Sequence, residues 1–551
     1  MSARALNLLV FRPGRKRAAG EELKAGLLRS IESARLDLSS ENILGALLRA
    51  GELECAISDA PRAESSQPLF SLLTDALADA LLCKGLSPHL PQVIEAISKA
   101  PVPELLELSR PEGFAYYALH PVAYARVLDQ LAGLPEHLVV IGIRSIGTTL
   151  SAMAAAAARL RHVPVSRITV RPGGHPYNRE TQFTAEQSLA IGDAISRCAD
   201  FLIVDEGPGL SGSSFLSVAE ALERTGVAAA KITMICGHQP NPDGLCSNNA
   251  AERWRRYRSV AAAPDPQRPA GTEVFVGTGE WRKLLFESSC RWPESWIGME
   301  RLKYLSAGEP PRLFKFAGLA HYGDPVIERE QAVAERGFGP ALQRESDGFV
   351  SYPWIEGRPG SARDLSSSVL ARLAEYCAFR ASAFSADDAD LGAVQEMAEH
   401  NLAQLGQNIP VSLKVERPVI VDGRMQPHEW VFTTSGQMLK TDSGSHGDDH
   451  FFPGPTDMAW DLAGAIVEWR MGAQPASSFL ERYHAASGDD AVPRIEDFVR
   501  AYTAFRWAYC TMAANAMHGT PEHERLNAAA AYYAARLQTL EVGAISASVA
   551  R

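Results

Sequence analysis

Paired cysteines, long apolar runs and an excess of positive charge are all missing from this chain of 551 residues. Its eight cysteines are scattered and form no Cys-x-x-Cys pair, which argues against a zinc site or a disulfide framework and fits a reducing compartment. No apolar stretch is long enough to span a bilayer, and no signal peptide is evident. The net charge of −11 argues against a broad nucleic-acid-binding surface. We therefore expect a cytoplasmic protein that binds neither membranes nor nucleic acid.

The composition is ordinary for a globular protein, with 46% apolar and 22% charged residues, and the length predicts roughly two to four domains. Residues 1–110 show apolar residues at helical spacing, so we predict a helical cap or an interface for a homo-oligomer. Within them, the basic run from Arg12 to Arg17 is predicted to be a solvated loop. The rest predicts a parallel-sheet α/β unit at 111–240, a mixed linker region at 241–311 and a bilobal α+β unit at 312–551.

The most informative stretch is residues 201–215, which read FLIVDEGPGLSGSSF. The first four apolar residues predict a buried strand, Asp205 and Glu206 stand at its end, and a loop of small residues leads into a helix. Free backbone N–H groups at a helix start, together with the helix dipole, favour a bound phosphate. Two adjacent carboxylates can hold a sugar diol, so the segment predicts a site for ribose 5-phosphate.

Two flanking segments strengthen this prediction. Residues 137–143 predict a second buried strand, and the loop from Arg144 to Thr149 leads into an alanine-rich helix. Residues 168–179 then predict a loop among prolines and glycines, and this loop carries Arg171 and other cations. The segment therefore presents two anion-binding loops, one cationic loop and one pair of acids.

This pattern resembles the signature of type I phosphoribosyltransferases. The resemblance implies that Asp205 and Glu206 bind the ribose hydroxyls of phosphoribosyl pyrophosphate with Mg2+, while Arg144 and Arg171 stabilise the pyrophosphate. It further implies a phosphate-binding set made of Ser145, Gly147, Thr148, Ser211, Gly212, Ser213 and Ser214. The gap between the acids and the small residues is one residue longer here than in the family, which alters the expected loop shape. The alternative is a strand followed by a solvated turn.

The C-terminal half carries a second pattern, which begins with a lysine on a strand. Residues 312–316 predict a strand that carries Lys315, and residues 324–337 predict a helix that carries Glu328 and Glu330. A strand lysine that neutralises phosphates and a helix glutamate that orients it suit a nucleotide site.

Further along the chain, the elements of this pattern continue in order. An apolar strand runs into a turn at residues 348–357, and a long helical stretch is predicted for residues 362–402. Asp442 follows another apolar strand, and Asp461 stands in an Asp-Leu-Ala run. The two aspartates suit a metal ligand and a structural acid.

This order resembles the small-molecule kinases of the aminoglycoside and choline phosphotransferase type. The resemblance covers about residues 312–535 and implies a bilobal kinase-like fold that binds ATP and Mg2+. The residues that it assigns to the nucleotide are Lys315, Glu330 (or Glu328), Tyr352 and Trp354, and those that it assigns to the metal are Asp442 and Glu429.

The catalytic loop departs from the family's His-Gly-Asp-x-x-x-x-Asn pattern. In the best register the base aspartate becomes Arg424 and the metal-binding asparagine becomes Glu429. A guanidinium cannot accept a proton at neutral pH, so Asp422 or His428 is the candidate base. Glu429 can still bind a hard cation. The unit therefore either transfers phosphate with altered residues or binds a nucleotide without transfer.

Two other clusters admit more than one interpretation. Residues 442–450 hold three aspartates and two histidines, which suits magnesium through Asp442, a separate transition-metal site or a solvated acidic loop. Four tryptophans lie between residues 241 and 310. We predict that they pack in a core or an interface, with stacking on a base as the alternative.

Three functions remain open from the sequence. We favour a two-headed enzyme of nucleotide-like metabolism, with Mg-dependent phosphoribosyl transfer, or its reverse, at the first head. The second head then binds a nucleotide or phosphorylates a small molecule. The alternatives are an enzyme with one active and one regulatory head, and a non-enzymatic sensor of phosphoribosyl pyrophosphate or nucleotide with a pseudokinase domain.

Overall fold

The computed structural model describes residues 6–12, 14–61, 66–131, 133–263, 268–387, 389 and 391–549, with side chains up to residue 540. These residues form a mixed α/β structure in which two separate five-stranded sheets carry the main strands. Within the same ranges, no helix combines the length and the hydropathy that crossing a bilayer requires.

Four helices dominate the N-terminal part, in agreement with the helical periodicity of the sequence. They lie between the two strands of an antiparallel ribbon. The elements are β1 (Arg15–Ala19), α1 (Gly20–Leu36), α2 (Ser40–Asp59), α3 (Gln67–Cys83), α4 (Leu90–Lys99) and β2 (Leu105–Ser109). The basic run is not the predicted solvated loop, because its second half forms β1 and the Nζ atom of Lys16 lies 3.5 Å from the Asp448 carboxylate.

The next part of the chain forms a parallel sheet flanked by helices, as the apolar strands predict. Its elements are α5 (Glu112–Ala115), α6 (Val122–Ala125), β3 (Leu138–Ile143), α7 (Ile146–Leu160), β4 (Val165–Val170), β5 (Gly173–His175), β6 (Asn178–Glu180), α8 (Ala185–Ser196), β7 (Asp200–Val204), α9 (Ser213–Arg224), β8 (Ile232–Cys236), α10 (Ala250–Trp254) and β9 (Arg258–Ala261). The strand order is β4–β3–β7–β8–β9. This order reverses between β3 and β7, which is where open α/β sheets bind ligands.

Small side chains let α7 pack closely against its neighbours. Every residue from Ala152 to Ala158 is buried, and both α2 and α3 pack against this helix. An ion pair reinforces the contact, since the guanidinium of Arg167 on β4 lies 2.9 Å from the carboxylate of Glu54 on α2. The N-terminal helices therefore cover α7 and share its core.

A second five-stranded sheet, this one antiparallel, follows. Its strands pair in the order β10–β11–β12–β14–β13. The elements are β10 (Thr272–Phe275), α11 (Arg282–Leu285), β11 (Lys303–Ser306), β12 (Arg312–Phe316), α12 (Asp324–Glu335), β13 (Gln343–Arg344) and β14 (Phe349–Pro353). Lys315 lies on the central strand of this sheet, and α12 follows it in the chain as predicted.

The C-terminal part is mainly helical. Its elements are β15 (Gly357–Pro359), α13 (Ser367–Ala383), α14 (Leu391–Gln404), β16 (Pro418–Ile420), β17 (Trp430–Thr433), β18 (Met438–Lys440), β19 (Pro455–Asp457), α15 (Ala459–Glu468), α16 (Ala473–Ser487), α17 (Ile495–Ala516) and α18 (Pro521–Val549). The single long helix predicted for residues 362–402 is instead two helices, because Phe384 leaves helical geometry and Ser385 forms a bridge with Val419.

Several contacts cross the boundaries expected between domains. Leu8 and Val10 are buried in the core of the C-terminal helices, and the backbone N–H of Arg12 donates to the carbonyl of His450 at 2.9 Å. The linker region 241–311 also contributes β9 to the parallel sheet and β10 and β11 to the antiparallel sheet. The boundaries drawn from the sequence stay a prediction, since the hydrophobic cores run across them.

Candidate functional sites

A cleft of about 220 Å³ lies between the antiparallel sheet and the C-terminal helices. Strands β11, β12 and β14 contribute one wall, and residues that follow β16 and β18 contribute the other. The six residues that the sequence assigned to a nucleotide and its metal all line this cleft: Lys315, Glu330, Tyr352, Trp354, Glu429 and Asp442.

Lys315 is the electrostatic centre of the cleft. Its Nζ atom lies 3.3 Å from Oε1 of Glu330 and also bonds the carboxylate of Asp442. Burial by itself lowers the pKa of Lys315, but Asp442 and Glu330 outweigh this effect and raise it. Burial likewise opposes ionisation of Asp442, yet Lys315 and His446 hold its pKa well below the usual value. Lys315 and Asp442 are therefore both charged, and they form an ion pair at the wall of the cleft.

Glu328 was the alternative partner for this lysine, and the structure selects Glu330. The second carboxylate oxygen of Glu330 accepts a hydrogen bond from the hydroxyl of Tyr352. Tyr352 thus orients the glutamate. Trp354 follows at the end of β14, where its backbone N–H donates to the carbonyl of Pro311 at 2.9 Å. The cleft wall at β14 is therefore fixed by hydrogen bonds on both sides.

Asp461 supports the loop that begins at Asp422, as the structural acid was expected to do. Its carboxylate accepts hydrogen bonds from the backbone N–H groups of Asp422 at 2.7 Å and Gly423 at 2.9 Å. Asp422 itself is 1% exposed and contacts Lys440 at 3.3 Å. The role of Asp422 as a substitute base stays a prediction, and in this structure its carboxylate is buried and paired with Lys440.

Two residues of that loop do reach the cleft. Arg424, which the sequence register matched to the base, lines the cleft, and its Nη2 atom donates to the Tyr509 hydroxyl at 3.3 Å. His428 lines it too, but burial, opposed by Glu294 and assisted by Arg424, lowers its pKa to about 4. His428 is therefore neutral near pH 7, so the imidazole can accept a proton but only as a weak base.

The residues present fit a magnesium ion in the cleft. Mg2+ prefers oxygen ligands and is commonly held by one or two carboxylates together with substrate phosphates. Glu429 and Asp442 both line the cleft and supply such oxygens. Each is now neutralised by a lysine, since Lys440 lies 2.8 Å from Glu429 and Lys315 bonds Asp442. The metal assignment of Asp442 and Glu429 stays a prediction.

The charged side chains of the acidic loop at residues 442–450 contact two different parts of the structure. His446 lies 3.3 Å from Asp442 and 3.5 Å from Asp449, whereas Asp448 contacts Arg110 of the N-terminal part at 3.5 Å. Across the described residues, no three side chains of His, Cys, Asp or Glu converge as a metal site. The alternative of a separate transition-metal site in this loop is therefore not supported.

The paired acids lie at the carboxyl end of β7, at the point where the strand order reverses. Oδ1 of Asp205 accepts from the Glu206 backbone N–H at 2.9 Å, and Oε2 of Glu206 accepts from the Gly113 N–H at 3.0 Å. Burial raises the pKa of Asp205 to about 7, and burial with the neighbouring Glu112 and Asp205 raises that of Glu206 to about 8. Neither carboxylate forms an ion pair within the described ranges.

Both arginines expected at the pyrophosphate are engaged elsewhere. The side chain of Arg144 lies 3.1 Å from Oδ1 of Asp59 at the end of α2, and Nε of Arg171 lies 3.0 Å from Oδ2 of the same residue. Arg171 still acts on Asp205 by lowering its pKa. Neither guanidinium is an unpaired cation, so pyrophosphate binding by these arginines requires that Asp59 releases them.

The loop before α7 is shaped by its small residues. Ser145 adopts a φ of 115° at the start of the helix. A Cβ atom on Gly147 would lie 2.6 Å from the carbonyl oxygen of Val204, so glycine allows the helix to approach β7. Thr148 is fully buried. The phosphate-binding role of this loop stays a prediction, and the buried Thr148 hydroxyl is not accessible to a phosphate in this structure.

The loop before α9 is covered by the hairpin of β5 and β6. The hydroxyls of Ser211 and Ser213 donate to the carbonyl of Pro176 at 2.8 and 2.6 Å, respectively. The N–H of Gly212 donates to Pro208, while Ser214 stays partly exposed. The phosphate-binding role of this loop stays a prediction, and it requires the hairpin to move before the hydroxyls of Ser211 and Ser213 can bind phosphate.

Comparison with known proteins supplies structural likenesses at low identity. No family model matches the chain, and no curated protein matches it. A choline/ethanolamine kinase family protein from Mesorhizobium loti matches at 15% identity with a TM-score of 0.31, covering 48% of this chain and 94% of the other. The choline kinase LicA from Streptococcus pneumoniae matches at 13% identity with a TM-score of 0.29, covering 42% and 90%.

An aminoglycoside phosphotransferase from Alicyclobacillus acidocaldarius matches at 14% identity with a TM-score of 0.30, covering 44% of this chain and 90% of the other. These comparisons do not show a phosphoribosyltransferase-like domain. Because the identities and TM-scores are low, the proposals below rest on the geometry of the chain's own residues.

The sequence alone did not indicate that residues far from the kinase-like segment also line the cleft. Trp281 and Trp296 of the linker region and Tyr116 of the α/β unit all do so. The tryptophan cluster was the available signal, and its predicted packing role holds for Trp254, which is buried against the parallel sheet. For the remaining residues, no local sequence pattern distinguishes a residue that lines a cleft from one that is buried in a core.

Proposed function

We propose that the cleft binds a magnesium–nucleotide and serves phosphoryl transfer to a small molecule. The observation that carries this proposal is the position of Lys315 between Glu330 and Asp442 in a buried cleft. Phosphoryl transfer depends mainly on positioned cations and metal-binding carboxylates. Lys315 would hold the nucleotide phosphates, Glu330 would orient Lys315, and Asp442 with Glu429 would hold the magnesium ion.

The substitution Lys315→Met tests this proposal. We expect ATP with Mg2+ to raise the Tm of the wild type and to leave that of the variant unchanged, because the charge that meets the phosphates is gone. The lost stabilisation is about 2.7 kcal/mol at a nucleotide concentration about 100-fold above Kd. A thermal-shift assay of the full chain measures it.

The matched control is Lys99→Met, because Lys99 is exposed and pairs with Glu95 on the surface at 2.6 Å. This variant keeps the full response to ATP. Equal stabilisation of the wild type and Lys315→Met by ATP would reject the nucleotide site.

A second function, binding of a phosphoribosyl phosphate with Mg2+, is proposed at the end of β7. The observation that favours it is a pair of carboxylates without an ion-pair partner among the described residues, held where the strand order reverses. Asp205 and Glu206 would take the ribose hydroxyls. The chemistry that follows is phosphoribosyl transfer, or its reverse, and a binding role without turnover is the alternative.

The double substitution Asp205→Asn, Glu206→Gln tests this second function. We expect it to abolish binding of phosphoribosyl pyrophosphate in the presence of Mg2+, because each amide lacks the negative charge of a carboxylate and has one acceptor oxygen instead of two. Isothermal titration calorimetry of the full chain measures the loss. The control Asp193→Asn, Glu186→Gln changes two exposed acids of the same unit and keeps the affinity. Unchanged binding in the first variant contradicts the assignment.

A further inference from the structure

The part of the cleft that Arg424 and Arg506 line, called the arginine end below, carries a guanidinium that no carboxylate bonds among the described residues. Among the described residues, Arg424 forms no ion pair, and its one side-chain hydrogen bond goes to the hydroxyl of Tyr509 at 3.3 Å. The guanidinium also lies over the ring of Tyr509, 5.2 Å from its centroid. A cation in a largely buried position is costly unless an anion compensates it.

The carboxylates around Arg424 bond other cations and leave its guanidinium without a direct anionic partner among the described residues. Arg506 lines the same cleft and lies 2.9 Å from Glu294 and 3.3 Å from Glu468, so its own charge is met. Its Nη1 atom is nevertheless buried and has no hydrogen-bond partner in the described structure. The negative charge of Glu429 raises the pKa of Arg424, but the Glu429 carboxylate itself is bonded to Lys440. An additional acceptor of N–H groups is therefore missing from the arginine end of the cleft.

We propose that the arginine end of the cleft binds the oxyanion of a small molecule, a phosphate or a carboxylate group, with Arg424 as its main contact. The planar guanidinium can donate two parallel hydrogen bonds to such a group. The inference rests on the proposed nucleotide site, because it assigns Arg424 to the acceptor that faces the nucleotide.

An arginine at position 424, where the family pattern has its base aspartate, also accounts for the missing base. An alcohol acceptor has to lose a proton during phosphoryl transfer, and the residue in the base position takes it. An ionised oxygen already carries the electron pair that forms the new bond to the γ-phosphorus. The bond between that phosphorus and the bridging oxygen breaks, its electron pair leaves with ADP, and no proton moves. The product is an anhydride, and Arg424 positions the attacking group instead of deprotonating it.

Protection of Arg424 from an arginine-selective reagent tests the anion site locally. The full chain is labelled with phenylglyoxal in chloride, in inorganic phosphate or in acetate at equal ionic strength, and labelled peptides are quantified by mass spectrometry. We expect phosphate, acetate or both to slow labelling of Arg424 several-fold, and the two salts distinguish a phosphate from a carboxylate site. Labelling of Arg161, which pairs with Asp129 on the surface, is the internal control and stays unchanged.

Substitutions at Arg424 and Lys315 distinguish a failure of the anion site from a failure of the nucleotide site. We expect Arg424→Gln to weaken the thermal stabilisation by the protecting anion roughly tenfold in apparent Kd, with Arg424→Lys intermediate and Lys315→Met unaffected. Stabilisation of Arg424→Gln by Mg-ATP persists. Equal labelling of Arg424 in all three salts, or equal anion binding by Arg424→Lys and the wild type, overturns the anion site. If Mg-ATP stabilises neither the wild type nor Arg424→Gln, the nucleotide site is rejected instead.

Discussion

At the scale of single residues, the paired acids of β7 show how burial changes the chemistry of a carboxyl group. The pKa of Asp205 rises from 3.8 to about 7 and that of Glu206 from 4.5 to about 8, mainly because burial disfavours the charged forms. Two adjacent acids in a strand-end loop were visible in the sequence. Their protonation near neutral pH was not, because it depends on Glu112 and Gly113, which lie about 90 residues earlier in the chain.

These raised values predict that stability falls as the pH rises. Between about pH 4 and pH 8 the folded protein keeps protons that the unfolded chain has lost, so the free energy of unfolding decreases with increasing pH. We expect the Tm of the wild type to fall across this window through these two groups. The variant Asp205→Asn, Glu206→Gln removes both titrations and shows a flatter profile. Thermal-shift profiles measured at several pH values decide this, and identical slopes would contradict the raised pKa values.

At the scale of elements, the local sequence pattern was sufficient to predict many strands and helices, but it did not predict which of them contact each other. The apolar run before Asp205 and the strand that carries Lys315 were predicted because buried strands leave a local signature. The contact between Lys315 and Asp442 spans 127 residues, so their separate motifs were readable but their contact was visible only through the resemblance. The hairpin that covers Ser211 and Ser213 was predicted only as a loop, since nothing local indicates what a short glycine-rich hairpin contacts.

The contact between α2 and β4 supplies a prediction at this scale. The carboxylate of Glu54 receives two hydrogen bonds from Arg167, and both side chains are 2% exposed. The substitution Glu54→Ala leaves the Arg167 guanidinium with Asp75 as its one carboxylate partner among the described residues, and we expect a loss of about 3 kcal/mol. A lower Tm in a thermal melt measures the loss. The variant Glu41→Ala changes an exposed glutamate of the same helix, and equal Tm values for the two variants would show that the buried pair contributes nothing.

At the scale of the whole molecule, the two candidate sites are separated by one short segment. The backbone N–H of Gly113 bonds Glu206, while the ring of Tyr116 lines the cleft. The hydroxyl of Tyr117 lies 3.3 Å from Nε2 of His450, in the loop that follows Asp442. The α/β unit thus forms part of the wall of the cleft that we propose as the nucleotide site. Composition and periodicity could not indicate this contact, because they describe each unit by itself.

The segment at residues 6–12 provides the prediction for the whole molecule. Val10 is fully buried in the core of the C-terminal helices, whereas Leu6 is 42% exposed. We expect Val10→Asp to lower the Tm of the full chain strongly and to weaken ATP binding, because a buried carboxylate replaces an apolar side chain. The control Leu6→Asp leaves both unchanged. Thermal melts with and without Mg-ATP measure the effects, and equal behaviour of the two variants would show that the segment is dispensable.

That segment also affects the order in which the protein can be completed during translation. Arg12 is bonded to a residue 437 positions later in the chain. Synthesis proceeds at roughly 5–20 residues per second, so these early residues wait tens of seconds on the ribosome for their partner. Until then Leu8 and Val10 are exposed, and the helices that will receive them lack part of their core. The core of the C-terminal helices is therefore complete only after two segments 437 positions apart in the chain have both been made.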